Sequence, residues 1–449
     1  MSASPAASGP KGHWLTGVMP EFNRDPLSFI ERCAREYGDV VPTRFFYVTA
    51  YFLNHPRDIE EVLVVRNKNF IKPGSLRTPF FRRIVGNGLL TSEGEFWRRQ
   101  RRLVQPAFHR DRIDAYARIM TDYTERLMTQ WRAGETRDLH ADMMRLTMGI
   151  VTRALFSAEV GGDDAEEVGH ALAEIARPFE SQATLKWIID NRLPTPAHRR
   201  FMRAVGKLDE VIYKLIRRRR ESGEDAGDLL SMLLQARDET DNSGMTDRQL
   251  RDEVMTMFLA GQETTALALS WSWHLLMQNP ETEARLHAEL AGVLDGGREP
   301  ALADLPRLRY TEAIIKESMR LYPPAWGVGR QALADCVIGG QRIPKNAQVF
   351  MMSWVVHRDP RFYDAPAEFR PERWMGEETK NLPKFAYFPF GGGPRGCIGS
   401  AFATMETILC LAAIARRFRF HPAPGHQVSL MPAMSLRPRD GIKVIVKRR

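Results

Sequence analysis

The most concentrated chemistry in this sequence lies in Phe390-Gly391-Gly392-Gly393-Pro394-Arg395-Gly396-Cys397-Ile398-Gly399. Glycines on both sides of one cysteine leave the backbone bare, which permits positive φ and close approach of a flat partner. A helix beginning just after Cys397 would aim its N-terminal N–H groups at the sulfur and favour the thiolate. A thiolate in a reducing compartment is a soft metal ligand. The same residues also suit a plainer structure, in which Cys397 is a small buried hydrophobe in a glycine turn.

Three further clusters carry reactive or charged groups. Ala260-Gly261-Gln262-Glu263-Thr264-Thr265 is polar in the middle of an apolar stretch. Gly and Thr are poor helix formers in an interior position, so the pattern predicts a local helix distortion there. Glu317-x-x-Arg320 is an i,i+3 charge pair of a kind that decorates many helices. Trp97-Arg98-Arg99-Gln100-Arg101 places an aromatic among cations; Trp97 suits core packing, and Arg98, Arg99 and Arg102 suit a solvated face. Arg217-Arg218-Arg219-Arg220 follows a helical pattern without interleaved aromatics, which predicts a solvated helix end rather than a nucleic-acid platform. His109, His357 and His421 are scattered and form no His-x-x-x-His metal pair. His357-Arg358-Asp359-Pro360 reads as a strand-to-turn transition without chemistry.

The elements that must position these groups are mostly helical. Thr246 followed by Gln249 fits a capping box. An apolar-periodic stretch runs from Leu250 to Gln278, and Asn279-Pro280 stops it. Roughly 30 residues at 1.5 Å each give a helix of about 45 Å, enough to cross a domain. Further helices are expected at 25–38, after His55-Pro56, through much of 96–291, at 310–322 before Pro323-Pro324, and at 400–417. Val40 to Leu53 reads as a strand pair. Gln331–Ile338, Gln348–Met352 and Ile442–Val446 read as further strands. Residues 359–396 are irregular and rich in Pro, Gly and aromatics; such a long stretch is usually functional. The expected fold class is mainly α with small β sheets (α+β), in one domain over 1–449, with a β-rich lobe near 40–55 and 331–352 and a helical core over about 96–322.

Composition bounds the classes. The chain has 449 residues, 43% hydrophobic and 27% charged, which excludes a disordered chain, a collagen-like fibre and a multi-span membrane protein. Its net charge is +9, which suggests an acidic partner or simple solubility. Four cysteines, Cys33, Cys336, Cys397 and Cys410, make no disulfide framework, so a reducing cytoplasm is expected. The first residues lack a signal peptide's basic start and apolar core, and no uncharged apolar run reaches membrane-spanning length.

The spacing Phe390-x-x-Gly393-x-Arg395-x-Cys397-x-Gly399 resembles the haem-ligand signature of cytochromes P450. Three upstream motifs follow in that family's order, so the resemblance spans nearly the whole chain. It implies the P450 fold, with the long central helix crossing a haem-binding domain. It also implies haem b (iron protoporphyrin IX), with Cys397 as the axial ligand of the iron and Phe390 beside it. Glu317, Arg320 and Arg373 resemble the family's structural Glu-Arg-Arg triad, which would fix the 359–396 segment behind the cysteine loop. Ala260-Gly261-Gln262-Glu263-Thr264-Thr265 resembles the oxygen-activation motif. Ala260 and Gly261 would leave room for the haem face, Thr264 would hydrogen-bond bound oxygen or water, and Glu263 would relay protons. Trp97 and Arg101 would bind one haem propionate, with Arg330 and Arg395 as further partners. Arg98, Arg99 and Arg102 then gain an alternative role in docking an acidic electron carrier.

The resemblance also implies a substrate pocket lined by Phe80, Phe81, Ile84, Leu89, Phe179, Trp187, Phe258, Ala260, the segment Ala325-Trp326-Gly327-Val328, and Ala433-Met434. Core packing competes for each of these. The implied activity is a soluble bacterial-type monooxygenase. It would use O2 and electrons from a separate ferredoxin- or flavodoxin-type carrier and its reductase. The expected substrate is an apolar small molecule such as a terpenoid or a fatty-acid-like compound. A peroxygenase using hydrogen peroxide and a non-catalytic haem sensor are the competing readings. No nucleic-acid partner, no membrane span and a monomeric state are expected. A loop at 178–196, with prolines around Trp187, is expected to act as a lid.

Overall fold

The computed structural model describes residues 8–108, 113–156, 171, 174–175 and 195–449. Phe179, Trp187, His109 and nearly all of the 178–196 loop lie outside the described residues. The chain is mainly helical with small sheets, as expected. It divides into two compact units, one of Met1–Arg77, Lys316–Cys397 and Met434–Leu436, the other of Thr78–Ile315, Ile398–Ala433 and Arg437–Arg449.

The first unit is built on a five-stranded sheet in the order Val40–Phe45, Val48–Leu53, Gln348–Met351, Val328–Ala332, Phe70–Ile71. The pairing of Val48–Leu53 with Gln348–Met351 is parallel and the other pairings are antiparallel. The β-branched and aromatic content of 40–53 predicts the first hairpin. Leu53, Ile59, Val62, Val349, Met351, Phe385 and Phe388 form its core. The single strand expected over Gln331–Ile338 is two, Val328–Ala332 and Cys336–Ile338. Leu333 N–H still donates to Asn69 O at 2.9 Å at the end of the first strand, and Cys336–Ile338 then pairs with Gln341–Ile343 as a separate hairpin. A π-helical turn at Glu61–Val65 has no signal in the sequence pattern.

The second unit is helical. It contains Gly94–Val104, Ile113–Thr129, Leu139–Phe156, Pro196–Ser222, Leu229–Gln235, Pro280–Val293 and Ser400–Arg417 around the central helix Asp247–Gln278. A three-stranded antiparallel sheet, Thr136–Asp138, Lys443–Arg448 and Phe418–Pro422, completes it. Among the described residues, no helix is long and apolar enough to cross a membrane.

The central helix starts as its sequence predicts. Thr246 Oγ1 accepts from Gln249 N–H at 3.3 Å, and Gln249 Oε1 accepts from Thr246 N–H at 2.8 Å. It has 32 residues, about 48 Å at 1.5 Å per residue. The distortion expected at 260–265 is absent: the α-helix is continuous. The polar side chains there find partners without breaking the ladder. Thr264 Oγ1 donates to Ala260 O at 2.7 Å, and Gln262 Nε2 reaches Met144 O at 3.4 Å on the neighbouring helix Leu139–Phe156. Gln262 O accepts from Thr147 Oγ1 of that helix at 2.9 Å. The bare Cα of Gly261 lets Val151 pack close, where an added Cβ would come within 3.2 Å of its Cγ2.

Candidate active site

In the first unit the cysteine loop is a closed, glycine-dependent turn. Cys397 N–H donates to Phe390 O at 2.9 Å, Gly396 N–H to Gly393 O at 3.0 Å, and Gly391 N–H to Phe388 O at 2.9 Å. Gly393 has φ +66°, and a Cβ there would collide with the carbonyl of Leu63 in the π turn. At Gly393 the loop therefore lies directly on that backbone and admits no side chain. Cys397 is exposed, which sets aside the buried-hydrophobe reading. Phe390 and Arg395 are half-buried and Arg330 is buried, donating to Gly329 O at 2.8 Å. Val328 approaches the loop: a Cβ on Gly391 would stand 4.0 Å from Val328 Cγ2. Trp326 is half-buried and stacks on Phe22 at 6.5 Å, and Met434 is exposed.

Behind the loop, Glu317 gathers five donors. Arg320 reaches it through Nε at 2.9 Å and Nη2 at 2.8 Å, and Arg373 Nε at 2.9 Å. Arg370 N–H at 3.1 Å and Trp374 Nε1 at 2.8 Å complete the shell. Glu317 and Arg320 are fully buried, and Arg373 nearly so. A carboxylate shared by two forked guanidiniums is the arrangement in which buried charge is compensated. Arg320 also donates to the carbonyls of His357, Pro366 and Glu368 at 2.9, 2.7 and 2.9 Å. Tyr363 Oη donates to Ala386 O at 2.9 Å. These bonds hold the irregular 357–388 segment, which has almost no regular structure of its own.

His357, given no chemistry from sequence, is part of this frame. It is fully buried, and its Nε2 accepts from Phe388 N–H at 2.9 Å, two residues before Phe390. Burial, helped by the Arg320 and Arg358 guanidiniums, pulls its imidazole from 6.5 down to about 3. The folded state thus favours the neutral ring. Its contribution to stability is complete above pH 6.5 and is lost as pH falls from there towards 3. We expect His357→Leu to leave the Phe388 N–H buried without an acceptor and to destabilise the chain by about 1–3 kcal/mol. Denaturant unfolding measures this; an unchanged midpoint would mean that the bond contributes nothing.

In the second unit the central helix opens a window. Leu250–Phe258 and Thr265–Trp273 are buried on every side, yet Ala260 and Thr264 are exposed and Leu259, Gly261 and Glu263 half-buried. Gln262 and Thr265, the inward members of the same polar cluster, are buried. Because Thr264 Oγ1 donates its proton to Ala260 O, it presents acceptor lone pairs outward. Glu263 is ion-paired with Nε of Arg437, a partner that no sequence signal announces. Trp97 and Arg101 are both half-buried, four residues apart on one face of Gly94–Val104. Phe80, Phe81, Ile84 and Phe258 are buried and Leu89 is half-buried.

The three adjacent arginines divide. Arg98 pairs with Glu95. Arg99 donates to Ser243 Oγ at 2.7 Å and Gly244 O at 3.2 Å, and Arg102 to Asp238 Oδ2 at 3.2 Å. Arg99 and Arg102 therefore tie down the 238–244 loop. In the Arg217–Arg220 run, Arg219 pairs with Asp228 and Arg220 with Asp247, stapling this helix end to the starts of Leu229–Gln235 and of the central helix, while Arg217 and Arg218 are exposed.

Three consecutive charges, Arg251, Asp252 and Glu253, are buried near the start of the central helix and were not foreseen from the sequence. Their one signal was polarity within an apolar stretch. Burial pushes the Glu253 carboxyl up from 4.5 to about 7, against hydrogen bonds from Leu89 N–H and Gln100.

A profile of the Cytochrome P450 family matches residues 7–446. Cyclooctatin synthase of Streptomyces melanosporofaciens is 40% identical over 428 residues, covering 95% of this chain and 92% of that protein. Cyclooctat-9-en-7-ol 5-monooxygenase of the same organism is 37% identical, covering 94% of each chain. Pentalenene oxygenase of Streptomyces avermitilis is 34% identical, covering 94% of this chain and 93% of its own. Among solved structures, the cytochrome P450DA heme domain superposes with a TM-score of 0.90 at 26% identity, covering 100% of this chain and 99% of that one.

Proposed function

This chain belongs to the cytochrome P450 family and is a haem-dependent monooxygenase, and from that premise we propose that it hydroxylates or epoxidises an apolar terpenoid. Electrons come from a separate ferredoxin- or flavodoxin-type carrier and its reductase. The observation that carries the assignment is the exposed Cys397 thiol at the end of a glycine loop in which Gly393 lies against the Leu63 carbonyl with no room for a side chain. Its relatives' names extend the reading to substrate: they name cyclooctat-9-en-7-ol and pentalenene. This reading assigns the apolar side chains Phe80, Phe81, Ile84 and Phe258 to the pocket such molecules require.

The residues of each unit suit haem. In the first unit, an exposed soft sulfur on bare backbone suits iron in a flat ring. In the second, the small, exposed Ala260 in the window of the central helix leaves space for a ring face. When bound, the haem supplies oxygen activation and transfer to carbon. Cys397 would hold the iron as thiolate, with Phe390 in the same loop. Trp97, Arg101, Arg330 and Arg395 would hold the propionates with charge-assisted bonds. Thr264 offers its outward lone pairs to a water or a protonated donor. Glu263, steadied by Arg437, carries protons in from outside at a carboxylate oxygen. The pocket side chains exclude water and orient the substrate carbon.

The acid–alcohol pair Glu263-Thr264 favours the O2-using reaction over the peroxide-driven one, whose enzymes usually lack the pair, and over a haem sensor, which needs no proton relay. The test is turnover of pentalenene and cyclooctat-9-en-7-ol under ¹⁸O2 with a ferredoxin, its reductase and reduced nicotinamide. One ¹⁸O atom in the product is expected. Turnover only with hydrogen peroxide, or no oxidation of any terpenoid, would overturn the reading.

A further inference from the structure

Three consecutive charged residues on a helix point in directions about 100° apart, so burying all three needs partners on several neighbouring elements. Arg251, Asp252 and Glu253 have them. Arg251 Nε donates to Asp209 Oδ1 at 2.6 Å, on the helix Pro196–Ser222, and its Nη2 to Arg83 O at 3.4 Å. Asp252 Oδ2 accepts from Asn87 N–H at 2.8 Å. Glu253 Oε2 accepts from Leu89 N–H at 3.0 Å, and its Oε1 from Gln100 Nε2 at 3.1 Å. Between these bonds the chain lies flat on the helix. A Cβ on Gly86, whose φ is +55°, would collide with the Asp252 carboxylate, and one on Gly88 with Thr256 Oγ1. Thr91 Oγ1 closes the turn by donating to Gly86 O at 2.8 Å.

The turn follows the short helix Pro79–Val85, which carries Phe80, Phe81 and Ile84. Phe80 stacks on Phe201 at 4.7 Å, on the same helix as Asp209. Apolar stacking sets how near these elements lie but tolerates sliding. Hydrogen bonds to alternate backbone N–H groups admit one register. Apolar residues of similar volume often serve stability as well as buried charge does, and what these charges add here is a set of directional bonds to the Asn87 and Leu89 N–H groups.

We propose that Arg251-Asp252-Glu253 is a specificity-determining anchor: it locks the Gly86–Leu89 turn onto the central helix and so fixes which apolar molecules fit against Phe80, Ile84 and Leu89. Asp252 and Glu253 are positioning residues that do not meet the substrate. The proposal rests on the reading that Phe80 and Leu89 line the substrate pocket.

The test uses the haem-loaded enzyme. Binding of pentalenene and of cyclooctat-9-en-7-ol is followed by the Soret spin-state shift, and the product distribution is measured for the one oxidised. Phe80→Ala tests the pocket itself, and Glu253→Ala and Glu253→Gln test the anchor. In Glu253→Ala the carbon monoxide difference spectrum should be intact. The dissociation constant for the better ligand should rise about tenfold or more, within the range that misfit in an apolar pocket produces, and one product should become several. Glu253→Gln keeps an acceptor for Leu89 N–H and should restore both properties to within about threefold of the parent. If Phe80→Ala alters binding while Glu253→Ala leaves affinity and product ratio unchanged, the pocket reading stands and the anchor is wrong. If Phe80→Ala also changes nothing, the pocket reading falls and the anchor with it. Should Glu253→Ala fail to fold, Gly88→Ala decides, since it lifts the turn while leaving every charge in place; parent-like affinity and product ratio there would overturn the proposal.

Discussion

Glu317→Ala should leave almost no haem-loaded, folded protein. The carboxylate is the shared acceptor of Arg320, Arg373, Trp374 and the Arg370 N–H, and the two guanidiniums are essentially without solvent access. Removing one partner of a buried ion pair costs about 3–5 kcal/mol, because the other charge is stranded. Here two cations are stranded at once, against a typical total stability of about 5–15 kcal/mol. Glu317→Gln keeps acceptor geometry without the charge and should fall between Ala and the parent. Haem content per polypeptide and the unfolding midpoint are the measurements. A Glu317→Ala protein that loads haem and melts with the parent would show that the triad does not hold the 357–388 segment.

Cys397→Ser should do the opposite: spare the fold and remove the chemistry. The loop closes through the Cys397 backbone N–H to Phe390 O at 2.9 Å, a bond that serine keeps. A hydroxyl is a hard, weakly acidic ligand that cannot replace thiolate donation to the iron. The strongly red-shifted Soret band of the reduced carbon monoxide complex should vanish, and oxygenation should fall to the uncatalysed background. Retention of that band in Cys397→Ser would mean that another residue ligates the iron. Together the two variants separate the frame of the cysteine loop from the atom it presents.

The sequence was most legible where the chemistry is local. The glycines around Cys397 signal bare backbone because the turn they permit is made within ten residues. The Thr246–Gln249 capping box is a contact across three residues, and it forms as its spacing predicts. Glu317 and Arg320 likewise meet one helical turn apart. Arg373 came from the family resemblance, since 56 residues separate it from Glu317 in the chain. The expected distortion of the central helix failed for a tertiary reason. Propensity registered Gly and Thr as helix breakers, whereas Val151 on a neighbouring helix packs against Gly261, Met144 and Thr147 of that helix bond Gln262, and Thr264 bonds Ala260 O within its own helix.

The sequence alone therefore determined the family and the helical class and singled out Cys397 and Glu263-Thr264 as candidates, because each motif is written in residues close together along the chain. Tertiary structure alone decided that Glu263 pairs with Arg437, 174 residues away, that His357 holds the backbone of Phe388, and that Arg251-Asp252-Glu253 is buried against the Gly86–Leu89 turn. A charge in a sequence looks the same whether it faces water or a distant backbone N–H. Only packing removes the water, and a desolvated charge must then find a fixed partner.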